Sequence, residues 1–167
     1  WKESIALKLN GSSELRSYGG SAVLFAQSSE RSDLKTQRIE ISDLKAGDTL
    51  QVIAQPKPLV RGQLRGEDDE QVRAQVSFKH LAWPWRDASN LSLGEYVINT
   101  DAQGSFAVSL EPGVYAMVLK PQDLTYAPRV VLLNIPDAEG LLLDPQQVSV
   151  SKGDLVFLKI GGEDDPV

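Results

Sequence analysis

The sequence predicts an all-β protein, and three observations predict it: short apolar/polar alternations of period two, turn clusters between them, and near absence of helical spacing. The clearest alternation sets Val72, Ala74, Val76, Phe78 and His80 on one face, with Gln71, Arg73, Gln75, Ser77 and Lys79 on the other. One face of that strand is expected to pack and the other to be wet. Phe106, Val108 and Leu110 repeat the pattern, as do Ile5, Leu7 and Leu9. Segments 114 to 119 and 155 to 160 are apolar on both faces, as central strands are.

Turn chemistry joins these runs. Asp101-Ala-Gln-Gly104 lies between Tyr96-Val-Ile-Asn99 and Phe106-Ala-Val-Ser-Leu110, and Gly104 can take a positive φ, so a hairpin is expected there. Pro112-Gly113 then turns the chain into Val114 to Leu119, which makes the expected arrangement a three-stranded meander. Two prolines in Gln55-Pro-Lys-Pro58 favour an extended connection poor in hydrogen bonds. The division expected from this is a small N-terminal β unit over 1–55, a larger sandwich over 59–161, and an acidic tail over 162–167. The first unit holds strand-like runs near 4 to 10, 21 to 27, 36 to 42 and 49 to 55, and so small a core is expected to need packing on the sandwich or on another protein. Lys45-Ala-Gly-Asp-Thr-Leu50 echoes Lys152-Gly-Asp-Leu155, which reads as two similar Gly-Asp turns or as a duplication.

Composition removes several function classes. With no cysteine among 167 residues, thiolate metal sites, thiol nucleophiles and redox switching are excluded. The net charge of -6 and a pI near 4.8 oppose phosphate-backbone binding, so nucleic acid is not an expected partner. No apolar run approaches the roughly 18 to 20 residues of a membrane-spanning helix, and the longest, Val130 to Leu133, is strand-sized. The sequence opens on Trp1 without a signal-like segment, which fits a processed export product or a trimmed N-terminus.

From Val60 onward the pattern resembles the carboxypeptidase regulatory-like group of prealbumin-like (transthyretin-like) domains. The residues that carry the resemblance are Val60-Arg-Gly-Gln-Leu-Arg-Gly66, the strand Val72 to Phe78, and Val97-Ile-Asn-Thr-Asp-Ala-Gln-Gly-Ser-Phe-Ala-Val-Ser-Leu-Glu-Pro-Gly-Val-Tyr115, similar to that group's "TDxxGxFxxxLxPGxY" core. It covers about residues 59 to 160. It implies a Greek-key-type prealbumin-like β-sandwich with a hairpin glycine, a buried aromatic two residues later, and a Pro-Gly turn feeding a core tyrosine. Such domains serve as linkers, stalks and accessory modules, so the resemblance implies a bacterial protein that is exported, to the periplasm or cell surface. Related collagen-adhesin repeats carry a Lys to Asn isopeptide bond assisted by a glutamate. Leu119 stands where that glutamate would be, so the bond is not expected here.

Candidate chemistry is sparse. His80 is the only histidine, so a His-rich zinc site and a two-histidine acid-base pair cannot be built within one chain, and its inward parity favours a structural, hydrogen-bonded ring over membership of a serine triad. No G-x-S-x-G elbow or phosphate-cradling glycine loop is present. Glu67-Asp-Asp-Glu70 and Glu163-Asp-Asp165 offer oxygen ligands without the alternation of an EF-hand loop, and read as solvated acidic loops. No catalytic, cofactor or metal residue is therefore assigned. Two sequons, Asn10-Gly-Ser12 and Asn90-Leu-Ser92, read as chance in a bacterial chain.

The segment Leu81-Ala-Trp-Pro-Trp-Arg86 breaks the preceding alternation and carries two of the three tryptophans. Pro84 fixes the backbone between the rings. Trp83, Trp85 and Arg86 are the candidate binding residues: exposed, they would anchor a protein interface or stack on a sugar, and folded inward they would cap one end of the sandwich. The expected function is a non-catalytic accessory or structural subunit that docks onto a larger extracytoplasmic assembly through a sandwich face, an edge strand or the Trp83 and Trp85 loop, with other protein subunits as partners. The alternative is a carbohydrate-binding or adhesion module of a surface protein.

Overall fold

The computed structural model describes residues 21–28, 31–42, 45, 50–137 and 146–152. The described chain is all-β, in the order β1 (Ala22–Ala26), β2 (Gln37–Ile41), β3 (Leu59–Arg65), β4 (Ala74–Ala82), β5 (Glu95–Asn99), β6 (Ser105–Ser109), β7 (Gly113–Pro121), β8 (Arg129–Ile135) and β9 (Gln146–Ser149). A 3₁₀ turn, Arg86–Ala88, interrupts the connection between β4 and β5. Two sheets face each other across one core: a three-stranded sheet in the order β6-β3-β9 and a four-stranded sheet in the order β5-β4-β7-β8. Strands β1 and β2 form a separate antiparallel pair.

The period-two pattern decides what lies between the sheets. From β4 and the residues before it, Val72, Ala74, Val76, Phe78 and His80 are all buried, while Gln71, Arg73, Gln75 and Lys79 are exposed. Tyr115, Met117 and Leu119 of β7 join them from the same sheet, and Val60, Leu64, Phe106 and Val148 approach from the other. Each large apolar side chain removed from water here contributes about 1.5–3 kcal/mol before the entropy of ordering it is subtracted. This shared apolar face is why the two sheets pack.

The expected meander does not form. The turn at Asp101–Gly104 does form: Gly104 has φ +74, its N–H donates to the Asp101 carbonyl at 3.1 Å, and Asp101 Oδ1 accepts from the N–H groups of Gln103 and Ser105. Beyond it the two arms part. Strand β5 pairs with β4, and β6 crosses to the other sheet and pairs with β3. The Leu64 N–H donates to the Gly104 carbonyl at 2.9 Å, which draws the turn onto β3. Tyr96 and Ile98 on one arm and Phe106 and Val108 on the other thereby cover the core from opposite sides, which a flat hairpin would not allow. Strand β7 returns to the four-stranded sheet beside β4, so the turn after β6 is a second crossing between sheets.

Two of the four strand-like runs expected near the N-terminus are strands, β1 and β2. The run at 4 to 10 lies outside the described residues, as does 155 to 160. The run at 49 to 55 is no strand over its described residues; the residue after it, Pro56, makes a single antiparallel bridge with Leu34. There the Lys35 N–H donates to the Gln55 carbonyl at 2.8 Å, and the Lys57 N–H donates to the Asp33 carbonyl at 2.8 Å. Lys57 supplies the backbone donor that Pro56 and Pro58 lack, so the proline stretch is less poor in hydrogen bonds than its composition predicts.

Candidate functional site

The candidate loop owes its position to a β-bulge. His80 pairs with Tyr115 and Ala82 with Val114, so Leu81 is one residue more than β7 can match. The insertion ends the inward parity of β4 and sends Trp83 to Arg86 out from the end of the sandwich. His80, 3% exposed, is the last inward residue before the bulge. Its ring stacks on Tyr115 at 4.5 Å between centroids, and its Nε2–H donates to the Ala82 carbonyl at 3.0 Å. The histidine is buried and hydrogen-bonded, as its inward parity predicts.

From His80 outward the rings continue as a file. Trp83 meets His80 edge-on at 4.5 Å, Trp83 and Trp85 stack at 5.8 Å with planes 10° apart, and Phe25 of β1 stands 5.8 Å from Trp85. Both indoles are half-buried. They face one another, and Trp85 also faces Phe25 of β1. Trp83 Nε1 is buried without a hydrogen-bond partner among the described residues. Arg86 is exposed, and it borders a shallow recess of about 240 Å³ with Arg38, Trp85 and Asp87.

The same corner is tied by charge. Arg38 of β2 donates through Nε and a terminal nitrogen to Asp87, at 2.8 to 3.1 Å, and also contacts Glu40. The guanidinium holds the Asp87 carboxyl below the usual carboxylate range. Being partly exposed, this pair fixes geometry more than it stabilises.

Burial pushes the His80 imidazole below its ordinary value, while the bond to Ala82 and the charge of Glu111 pull the other way. The folded chain thus keeps a neutral ring at pH values where the unfolded chain, titrating near about 6.5, binds a proton. Stability is expected to fall as pH drops below about 6.5, by at most about 1.4 kcal/mol per unit. Urea unfolding between about pH 7.5 and 5 checks this, above the range in which the depressed carboxylates of Asp33, Glu70, Asp87 and Asp123 titrate. A His80→Gln chain with the same slope as wild type would assign the effect elsewhere.

No group of three or more His, Cys, Asp or Glu side chains arranged for a metal ion occurs among the described residues. The acidic loop at Glu67 to Glu70 has internal partners: Glu70 accepts from the Tyr126 hydroxyl, Glu67 from the Lys152 N–H at 3.3 Å, and Asp68 lies 3.5 Å from the Lys152 ammonium. Glu163-Asp-Asp165 lies outside the described residues. No helix of the described chain is long and apolar enough to cross a membrane.

A second surface is a face of the sandwich, which sequence reasoning expected in kind without locating its residues. On the outer face of the four-stranded sheet, Val97, Ser77, Val118 and Val130 form one cross-strand row, and Glu95, Lys79, Ala116 and Leu132 the next. On β7 and β8 this face carries Val114, Ala116, Val118, Val130 and Leu132 between exposed Lys120 and Asn134, and Val130 and Leu132 are 62% and 69% exposed. The half on β4 and β5 carries Lys79 and Glu95. The available signal was the run Val130 to Leu133, whose lack of alternation hid which pair turns outward.

No protein-family model matches the chain, and no curated protein matches it. Among solved structures it is similar to a group B streptococcus pilus 2b backbone protein, with 17% identity over 77% of this chain and 52% of that one, at a TM-score of 0.46. It is also similar to a streptococcal ancillary pilin, with 18% identity over 74% of this chain and 39% of that one, at a TM-score of 0.39. The chain spans about half the length of the first and less of the second.

Proposed function

We propose that this chain is a non-catalytic structural or accessory subunit of a larger extracytoplasmic protein assembly, and that it docks through the outer face of β7 and β8. The observation that carries the reading is the pair Val130 and Leu132, largely exposed beside the apolar outer residues Val114, Ala116 and Val118. A contiguous apolar surface costs free energy in water and is retained where a partner covers it. In this reading residues 59–161 form a prealbumin-like sandwich. The buried Phe106, the left-handed Gly104 and the buried Tyr115 after Pro112-Gly113 support that assignment. Trp83 and Trp85 link the sandwich to β1, leaving Arg86 at the rim as their exposed neighbour.

Size separation of gently solubilised material from cells that make the protein tests the reading, with mass spectrometry of what travels with the chain. Wild type is expected to travel with defined protein partners through a salt wash, and the Leu132→Lys chain to lose them. Wild type migrating with no other protein, or Leu132→Lys keeping every partner, would sink docking through this face.

A further inference from the structure

The β1–β2 pair is joined to the sandwich in two unlike ways. Just before β2, Lys35 and Thr36 are buried: the Lys35 ammonium lies 2.7 Å from Asp137, the Lys35 N–H donates to the Gln55 carbonyl, and the Thr36 N–H donates to Glu111. Beyond Thr36 the attachment thins. Within β1 and β2 only Ile41 is buried, and neither strand joins the backbone ladder of a larger sheet. The ring and ion contacts that these two strands make with the sandwich, among the described residues, are Phe25 on Trp85 and Arg38 on Asp87.

Those two contacts are adjacent by construction. Phe25 and Arg38 are register partners across the pair, so their side chains stand on one face as nearest neighbours, roughly 5 Å apart at Cβ. Trp85 and Asp87 lie two residues apart on the loop that the bulge sends out. A ring beside a cation on the strands thus meets a ring beside a carboxylate on the loop. The contact is loosely made. A recess of about 240 Å³ remains at it, bordered by Arg38, Trp85, Arg86 and Asp87. Trp83, whose ring lies parallel behind Trp85, keeps its buried Nε1–H without a partner among the described residues. An unfilled recess and an unmet donor weaken the closed arrangement against a partner that supplies what it lacks.

We propose that Trp85 and Asp87 form a docking site for a protein strand that presents an aromatic side chain beside Arg or Lys, and that Phe25 and Arg38 occupy it in cis as a displaceable cover. The chemistry of the occupant is read from the cover itself. When the pair lifts, Asp87 keeps a carboxylate without its guanidinium next to the ring that Phe25 has left, and an incoming cation beside an aromatic ring restores both contacts. Lys35 and Thr36 stay anchored through Asp137, Gln55 and Glu111, so the exchange breaks no ladder of the sandwich. The site is separate from the outer face of β7 and β8, and neither reading depends on the other.

The test uses the whole chain in a Trp1→Phe background, which leaves Trp83 and Trp85 as its tryptophans. The probe is a peptide of residues 22–41, cyclised through its register partners Ala22 and Ile41. Phe25→Ser and, separately, Arg38→Ser in the chain empty the two halves of the site. Each is expected to bind the peptide at least about tenfold more tightly than the covered chain, because occupancy in cis divides the apparent affinity by the open fraction. Acrylamide quenching of the tryptophans is expected to rise in the Phe25→Ser chain and to fall again when the peptide is added. Asp87→Arg on top of Phe25→Ser is expected to weaken binding about tenfold or more, and a peptide carrying Arg38→Asp to recover it. Leu132→Lys, on the other face, is expected to leave peptide binding unchanged. Emptied chains that ignore the peptide, equal binding by covered and emptied chains, binding that survives Asp87→Arg, or binding lost on Leu132→Lys would each overturn the proposal.

Discussion

Replacing Gly113 by alanine is expected to destabilise the fold by about 4 kcal/mol or more, whereas Gly94→Ala should cost less than about 1 kcal/mol. Gly113 sits at φ +144, a conformation that residues with a Cβ rarely adopt. A Cβ there would overlap both the His80 Nε2 and the Ala82 carbonyl oxygen. Neither obstacle can yield cheaply. The His80 ring is held between the face of Tyr115 and its bond to Ala82, and the Ala82 carbonyl belongs to the bulge that aims the tryptophan loop. At Gly94 the same methyl meets only the Tyr96 ring, at 3.6 Å, an ordinary van der Waals contact. Urea unfolding followed by tryptophan fluorescence reads both variants. Because Trp83 lies against His80, the folded-state emission of any residual folded Gly113→Ala should also shift. A Gly113→Ala chain within about 1 kcal/mol of wild type would show that the bulge relaxes freely and that the loop's placement is not set there.

That bulge marks the limit of what the sequence made legible. The inward face of β4 follows from period two alone, because each of its five alternate residues is apolar or, for His80, aromatic enough to stack. The turn at Asp101–Gly104 was also legible, since its side-chain and glycine requirements are local. Its consequence was not: turn chemistry fixes a reversal of the chain, and which neighbour captures each arm depends on β3 and β4, which lie far away in sequence. The outer face went unlocated for the same reason. In Val130 to Leu133 both parities are apolar, so period gives no direction, and only the pairing of Leu132 with Ala116 and Val130 with Val118 shows which pair turns to solvent. Trp83 and Trp85 were visible as unusual residues, but Phe25, which stands against Trp85, is sixty positions upstream.

Lys57 and Glu111 are another such pair, brought together from far apart in the sequence, and they carry the second large prediction. Their side chains are 8% and 11% exposed, with Lys57 Nζ 3.3 Å from Glu111 Oε1. The other carboxylate oxygen accepts from the buried Thr36 N–H at 2.8 Å, and the Glu111 carbonyl accepts from the Tyr115 hydroxyl at 3.1 Å. One residue thus joins the segment before β2, the proline stretch before β3 and the turn before β7. Glu111→Ala is expected to cost about 3–5 kcal/mol, because it leaves an ammonium and an amide in a dry site without their acceptor. Lys57→Met combined with Glu111→Gln should return to within about 1 kcal/mol of wild type: the amide oxygen still serves Thr36, and no buried charge remains. A double-mutant cycle in urea measures both, and hydrogen exchange at the Thr36 amide separates local release from global unfolding. The cost of Glu111→Ala would then appear as faster exchange at Thr36, with Lys35 and Asp137, 2.7 Å apart, as the neighbouring tie that remains. If Glu111→Ala costs under about 1 kcal/mol, water reaches the pair, and Arg38 with Asp87 and Phe25 with Trp85 must hold β1 and β2 to the sandwich instead.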